Sequence, residues 1–175
     1  GAGAVTLLSP CNALQVNATH LTSIILRKSD GIEDVEEWLE ERKPAVLVFG
    51  PAAGLQDSVG DFALALIGAA TNKVRHLVLD ADALTHLSRR RGEFLASFRQ
   101  AGAPHIVLTP HEGEFARVFP ELARDEGLSK LGRAQRAATL AGATIILKGP
   151  DTVIASPDGQ TAINTNAPPW LATAG

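Results

Sequence analysis

The sequence has no methionine and no tyrosine, a single cysteine, and aromatic residues at only 5% of its 175 positions. With Cys11 alone there is no internal disulfide, which agrees with a reducing, cytoplasmic type of compartment and leaves stability to a hydrophobic core. A chain of this length buries such a core without metal or disulfide staples. The few aromatics leave little on which single-stranded bases could stack. Neither sign of charge dominates: 16 Lys+Arg stand against 19 Asp+Glu, a formal net charge of −3. No basic face is therefore available to neutralise a nucleic-acid backbone, and no nucleic-acid partner is expected. Apolar runs such as residues 45–49 fall far short of a membrane span, and the start has no charged segment followed by a long apolar one, so no membrane segment and no export signal are expected. A complete reading frame begins with Met, whereas here Gly1-Ala2-Gly3-Ala4 runs straight into an apolar stretch and residues 168–175 stop in a glycine-containing loop. The expectation is one domain over residues 1–175, cut from a longer chain at both ends.

What is present is a rhythm. Short apolar β-rich runs at residues 5–8, 23–26, 45–49, 76–80, 106–109 and 144–148 alternate with longer amphipathic or alanine-rich stretches, the pattern of β-α units with buried parallel strands. Asp30-Gly31-Ile32-Glu33 has capping-box spacing, and Ile32, Val35 and Leu39 then form one apolar stripe among wet acidic residues. Residues 62–70, 93–100 and 129–141 are predicted as further helices. Late in the chain, residues 152–155 and 161–164 flank Ser156-Pro157-Asp158-Gly159, a turn signal for an antiparallel hairpin. The predicted class is α/β with a largely parallel central sheet and that late hairpin.

In an open α/β sheet, ligands sit outside the carboxyl ends of the strands, so the residues just after each strand carry the functional information. Gly50-Pro51-Ala52-Ala53-Gly54 is small enough for close approach of a ligand to the backbone, and a following helix start would favour an anion. A tight turn needing glycine for geometry alone explains it as well. Asp80 and Asp82 could hold Mg²⁺, or one could bond a substrate hydroxyl, while Asp82 also suits a helix N-cap. Thr109-Pro110-His111-Glu112-Gly113-Glu114 and Arg117 gather a His, acids and a cation within about two helical turns. A His in a loop is usually just solvated; its place beyond a buried strand favours a ligand contact here. Lys148-Gly149-Pro150-Asp151-Thr152 puts a lysine and a polar turn where nucleotide phosphates would lie, although a strand-ending Lys with its stem on apolar surface is the plainer explanation. It is not a Walker loop, which ends Gly-Lys-Ser/Thr.

Taken in order, Gly-Pro-x-x-Gly, Asp-Ala-Asp-Ala-Leu (80–84), Thr-Pro-His-x-Gly-Glu (109–114), Leu-Lys-Gly-x-x-Thr-Val-Ile (147–154) and Ala-Thr-Ala-Gly (172–175) resemble the ADP- or ATP-dependent NAD(P)H-hydrate dehydratases of the ribokinase-like superfamily. The likeness covers essentially the whole chain. It implies a three-layer α/β/α fold and a lyase that returns hydrated NADH or NADPH (NADHX, NADPHX) to the cofactor by phosphorylating the ring hydroxyl and eliminating phosphate. With ADP as donor the other product is AMP. It also implies that Gly54, His111, Glu114, Arg117, Asp80 and Asp82 serve the dinucleotide substrate. Lys148, Gly149, Pro150, Asp151, Thr152 and Gly175 would serve the nucleotide, with Mg²⁺ as its companion and no protein-held metal. The family further suggests a cytoplasmic homo-oligomer, sometimes with an epimerase domain ahead of this one. The catalytic aspartate of the family lies in a Gly-Ser/Thr-Gly-Asp motif expected to begin at or just after Gly175, so residues 1–175 alone are expected to be inactive.

Two departures stand out: Ala52 occupies a position that is glycine in many members (Gly-Pro-Gly-Leu-Gly), and Ala167-Pro168-Pro169-Trp170 replaces the commoner Gly-Asn-Pro-Gly. Rival readings are a ribokinase-like small-alcohol kinase acting on hydroxymethylpyrimidine or hydroxyethylthiazole, and a non-catalytic nucleotide-binding module.

Overall fold

The computed structural model describes residues 3–166. It divides into two compact units, residues 1–43 and 44–175. Among the described residues no helix is long and apolar enough to cross a membrane.

The first unit runs β1 (Thr6–Ser9), α1 (Cys11–His20), β2 (Ile25–Lys28) and α2 (Ile32–Arg42), with β1 and β2 paired in parallel. β2 lies two residues later than the apolar run suggests, because its charged end is neutralised: Arg27 pairs with Glu41 at 2.6 Å and Lys28 with Asp30 at 2.8 Å. The expected capping box at Asp30 is corrected as well. The N-cap is Gly31 with no side-chain cap. The Asp30 carboxylate instead accepts the Cys11 N–H at 2.7 Å, while Asp34 reaches back to the Asp30 N–H at 2.7 Å. Both oxygens of Asp30 have other partners, Oδ1 the Cys11 N–H and Oδ2 the Lys28 ammonium.

The second unit holds β3 (Val46–Phe49), α3 (Asp57–Ala70), β4 (His76–Leu79), α4 (Asp82–Arg89), α5 (Arg91–Phe98), β5 (His105–Leu108), α6 (Glu112–Val118), α7 (Pro120–Ala123), α8 (Lys130–Ala141), β6 (Thr144–Leu147), β7 (Thr152–Ala155) and β8 (Thr161–Asn164). The strands form one sheet in sequential order, β3 to β6 parallel and β6-β7-β8 antiparallel. The expected mostly parallel sheet with its late hairpin is therefore present. Right-handed crossovers between strands in sequential order put all the connecting helices on one face. The side-chain pattern agrees: Leu47, Leu77, Leu79, Ile106, Leu108, Ile145, Leu147 and Val153 are buried on that face, whereas Val46 and Val48 on the other are exposed.

α8 shows how the helices close on the sheet. Ser129 caps its start by accepting the Gly132 N–H at 3.1 Å, and Gly142 ends it in the left-handed conformation. Its buried face is Ala134, Ala137, Ala138 and Ala141, a stripe of small residues at helical spacing that lets the backbone come close to β6 and β7.

Candidate functional site

The strands β3, β4, β5 and β6 end at Phe49, Leu79, Leu108 and Leu147, so Gly50, Asp80, Thr109 and Lys148 are the first residues past each ladder. Register makes the first three level, since Phe49 pairs with Leu79 and Leu79 with Leu108. The Lys148 N–H donates to the Pro110 carbonyl at 2.8 Å, which ties the end of β6 to that of β5. Four segments far apart in sequence are thus gathered on one rim of the sheet.

At its centre Lys148 Nζ donates to Asp80 Oδ1 at 2.9 Å, joining residues 68 positions apart. Burial pushes the Asp80 carboxyl up, but hydrogen bonds from Lys148, Thr109 and the Ala81 N–H, together with the Lys148 charge, outweigh it and hold Asp80 below the usual carboxylate range. Asp82 is not the N-cap of α4; that position is Ala81, held at φ 49°. The Asp82 carboxylate instead accepts the Gly54 N–H at 2.9 Å. Each aspartate is therefore engaged by protein donors, and among the described residues no three His, Cys, Asp or Glu side chains are grouped as metal ligands.

The turn at Gly50–Gly54 closes with the Ala53 N–H donating to the Gly50 carbonyl at 3.0 Å. Pro51 and Ala52 occupy its two central positions, and Ala52 has φ 56°. A Cβ in that region costs about 1–2 kcal/mol, part of which glycine gives back through its freer unfolded chain. Ala52→Gly is therefore expected to raise stability by about 0.5–1 kcal/mol, seen as a higher urea midpoint at unchanged slope; a lower midpoint contradicts strain at Ala52. α3 starts at Asp57, beyond the turn, and carries that carboxylate in its first turn. The Asp57 carboxylate thus already interacts favourably with the positive end of this helix.

His111 lies beyond β5 as expected, but its Nδ1 is already occupied. It is the N-cap of α6, accepting from Gly113 N at 3.0 Å and Glu114 N at 3.4 Å, while Glu114 Oε2 accepts the His111 N–H at 2.8 Å. This reciprocal capping box buries Glu114 and assigns the ring proton to Nε2, leaving that nitrogen a hydrogen-bond donor on an exposed side chain. Arg117 is exposed on the same helix.

Beyond Lys148, Thr152 Oγ1 donates to the Gly149 carbonyl at 3.1 Å, and Pro150 is exposed. Lys130, which the sequence reading did not single out, donates to both the carbonyl and the carboxylate of Asp151 and so occupies the space a Cβ on Gly149 would take. The hydrogen bond from Lys130, a backbone hydrogen bond and then the Lys130 charge hold the exposed Asp151 carboxyl below its ordinary range. Glu112 lies between Lys130 at 4.0 Å and Arg133 at 3.3 Å, linking the start of α6 to the 149–152 turn through α8. Also unforeseen is His86 on α4, almost fully buried, with Nε2 3.0 Å from the Gly54 carbonyl. The hint was the i, i+4, i+7 spacing of Asp82, His86 and Arg89 on a helix whose other face is apolar. A cavity of about 330 Å³ is lined by Asp57, His86, Arg89 and Arg90, none of them at a strand end. Gly175 and residues 167–170 lie outside the described residues.

A profile of the family described as NAD(P)H-hydrate dehydratase matches residues 1–175. The bifunctional NAD(P)H-hydrate repair enzyme of Synechocystis sp. is 44% identical over 99 residues, 57% of this chain and 18% of that protein. The chain spans between 18% and 28% of the length of such curated relatives. Among solved structures, a ribokinase-like superfamily protein from Enterococcus faecalis superposes with a TM-score of 0.78 at 22% identity, covering 100% of this chain and 57% of the other. The ADP/ATP-dependent NAD(P)H-hydrate dehydratase from Bacillus subtilis, co-crystallised with ATP/Mg²⁺ and soaked with CoA, gives 0.72 at 23% identity, covering 98% and 58%. At these identities the two structures establish the ribokinase-like fold.

Proposed function

The chain belongs to the NAD(P)H-hydrate dehydratase family, and we propose that its protein is a nucleotide-dependent dehydratase that returns NADHX or NADPHX to the intact cofactor, a metabolite-repair lyase. The observation that carries the reading is the family match across both units of the chain. The strand-end rim, where Gly50, Asp80, Thr109 and Lys148 directly follow consecutive parallel strands, supports it.

In the proposed reaction the ring hydroxyl oxygen takes the terminal phosphoryl group of the nucleotide, releasing AMP from ADP or ADP from ATP. Phosphate then leaves with the C–O electrons while a neighbouring ring carbon gives up a proton, and the double bond is restored. The chemistry needs an acceptor for the hydroxyl proton and cations or N–H groups about the phosphoryl. Lys148 is the cation at the rim, and on this reading it exchanges Asp80 for a phosphate oxygen. Gly149, Pro150, Asp151 and Thr152, braced by Lys130, form the nucleotide side, and Gly175 is assigned there with them. Gly54, the Nε2–H of His111 and the exposed Arg117 form the dinucleotide side, with Glu114 fixing His111, Asp80 holding Lys148, and Asp82 holding Gly54. Mg²⁺, when bound, arrives with the nucleotide's phosphates and neutralises their charge. No described residue is assigned as the base. The reading takes residues 1–175 as one dehydratase domain of a cytoplasmic homo-oligomer, a domain that the resemblance says is sometimes fused behind an epimerase domain.

The test is recovery of NADPH absorbance from NADPHX by the full-length protein with ADP, with ATP and with neither. Recovery that depends on a nucleotide establishes the activity and names the donor. Failure with both, from protein shown to be folded, overturns it, and phosphorylation of hydroxyethylthiazole in the same preparation would assign the rim to a kinase.

A further inference from the structure

We infer that His86 is a positioning residue whose role is to fix the Gly54 peptide of the Gly50–Gly54 turn. α4 presents three polar side chains on one face, Asp82, His86 and Arg89 at i, i+4 and i+7. All three grip the same two residues. Asp82 Oδ2 accepts the Gly54 N–H at 2.9 Å, His86 Nε2 meets the Gly54 carbonyl at 3.0 Å, and Arg89 donates to the Leu55 carbonyl at 3.1 Å. A carbonyl only accepts, so Nε2 of His86 carries a proton. Both backbone polar groups of Gly54 are thus satisfied by one helix, and Gly54 is held at φ 97°, a conformation that glycine adopts without strain.

The ring is also held from the other side. His86 is 1% exposed, and a buried imidazole is costly unless its polar atoms are used. Across from it, α3 carries Gly60, where an added Cβ would stand 3.0 Å from His86 Nδ1 and 3.4 Å from the Arg90 guanidinium. Arg90 is in turn fixed to Asp61 of α3 at 2.6 Å and to Glu93 at 2.7 Å. An imidazole therefore stands between α3 and the turn with little freedom to move. α4 follows directly on Asp80-Ala81, so the helix that fixes Gly54 is also anchored next to the Lys148 partner. His86 does not reach the rim itself and acts only through the Gly54 backbone.

The inference rests on the reading that this turn contacts the hydrated dinucleotide. The experiment compares His86→Leu, which fills the space without a donor, with His86→Gln, whose amide can restore one, in the full-length protein. Thermal stability, kcat, and KM for NADPHX and for the nucleotide are measured for each. Loss of one hydrogen bond that orients the turn is expected to raise KM for NADPHX about tenfold in His86→Leu, with kcat and the nucleotide KM changed by less than about twofold. His86→Gln is expected to recover most of it. Gly60→Ala perturbs the ring without removing it, and is expected to raise the same KM; it carries the test if His86→Leu does not fold. A fall in stability with unchanged KM values in all three variants overturns the inference, as does equal impairment of the Leu and Gln variants. A rise in the nucleotide KM alone, rescued by Gln, upholds His86 as the positioning residue and overturns the assignment of the turn to the dinucleotide.

Discussion

Gly50→Ala is expected to unfold the protein or leave it insoluble, a loss of more than about 4 kcal/mol from a total on the order of 5–15. Gly50 has φ 127°, and a Cβ built there would lie 1.8 Å from the Asp80 carbonyl oxygen and 2.8 Å from the Ala83 Cβ. The first obstacle is backbone, not the free end of a side chain, so relief requires β3 and the β4–α4 junction to separate. That junction already holds Ala81 at φ 49° and carries the Asp80 contacts. Gly68 is the control. It lies exposed in α3 with nothing within 4 Å of an added Cβ, and Gly68→Ala is expected to stabilise by about 0.5–1 kcal/mol, the ordinary gain of alanine over glycine inside a helix. Urea unfolding of the two variants beside the parent decides the matter. A soluble Gly50→Ala protein with a midpoint near that of the parent would mean that the two loops do not meet as closely as described.

Much of this architecture can be read from the residues because it depends on local pattern. The hairpin of β7 and β8 is found residue for residue, since alternating Thr-Val-Ile-Ala and the turn Ser156-Pro157-Asp158-Gly159, with Gly159 at φ 93°, leave little choice of register. The parallel strands are found to within a residue or two, because buried runs of Val, Ile and Leu bounded by Gly, Pro or Asp have few alternatives. α1 gives no such signal: its ten residues bury no side chain, so no apolar stripe marks it. α4 is obscured by its own role, as the face that would be plain solvent-exposed polarity holds Asp82, His86 and Arg89 against a backbone turn.

The same division holds at the rim. That Gly50, Asp80, Thr109 and Lys148 share one edge follows from the general rule that sites lie beyond the carboxyl ends of parallel strands. What those side chains bond to does not follow, because it depends on distances between strands. His111 takes the capping position that serine or threonine usually fills, and Lys148 finds Asp80 only through the sheet register.

The Lys148–Asp80 pair gives the second large effect. Under the proposed function Lys148→Met removes a cation from the transferred phosphoryl group and is expected to lower kcat/KM for the nucleotide by about 10²–10³-fold. Asp80→Asn keeps an acceptor for the Ala81 N–H but gives up the charge that holds Lys148, so the nucleotide KM is expected to stay level or fall. Opposite responses from two partners of one ion pair distinguish a lysine that leaves Asp80 for a phosphate from one that only braces the sheet edge, where both variants would behave alike. Titration supplies an independent check. The native Asp80 carboxyl is depressed, so its contribution to stability is present above the unfolded carboxyl value near 3.9 and is lost as pH falls through the lower folded value. Without Lys148 the opposing influence of burial is less well countered, and the Asp80 titration followed by carboxyl ¹³C NMR is expected to move to higher pH, with acid unfolding beginning at higher pH too. An Asp80 titration that does not respond to Lys148→Met would mean that the two groups are not paired in solution, and the exchange of Asp80 for phosphate would lose its starting point.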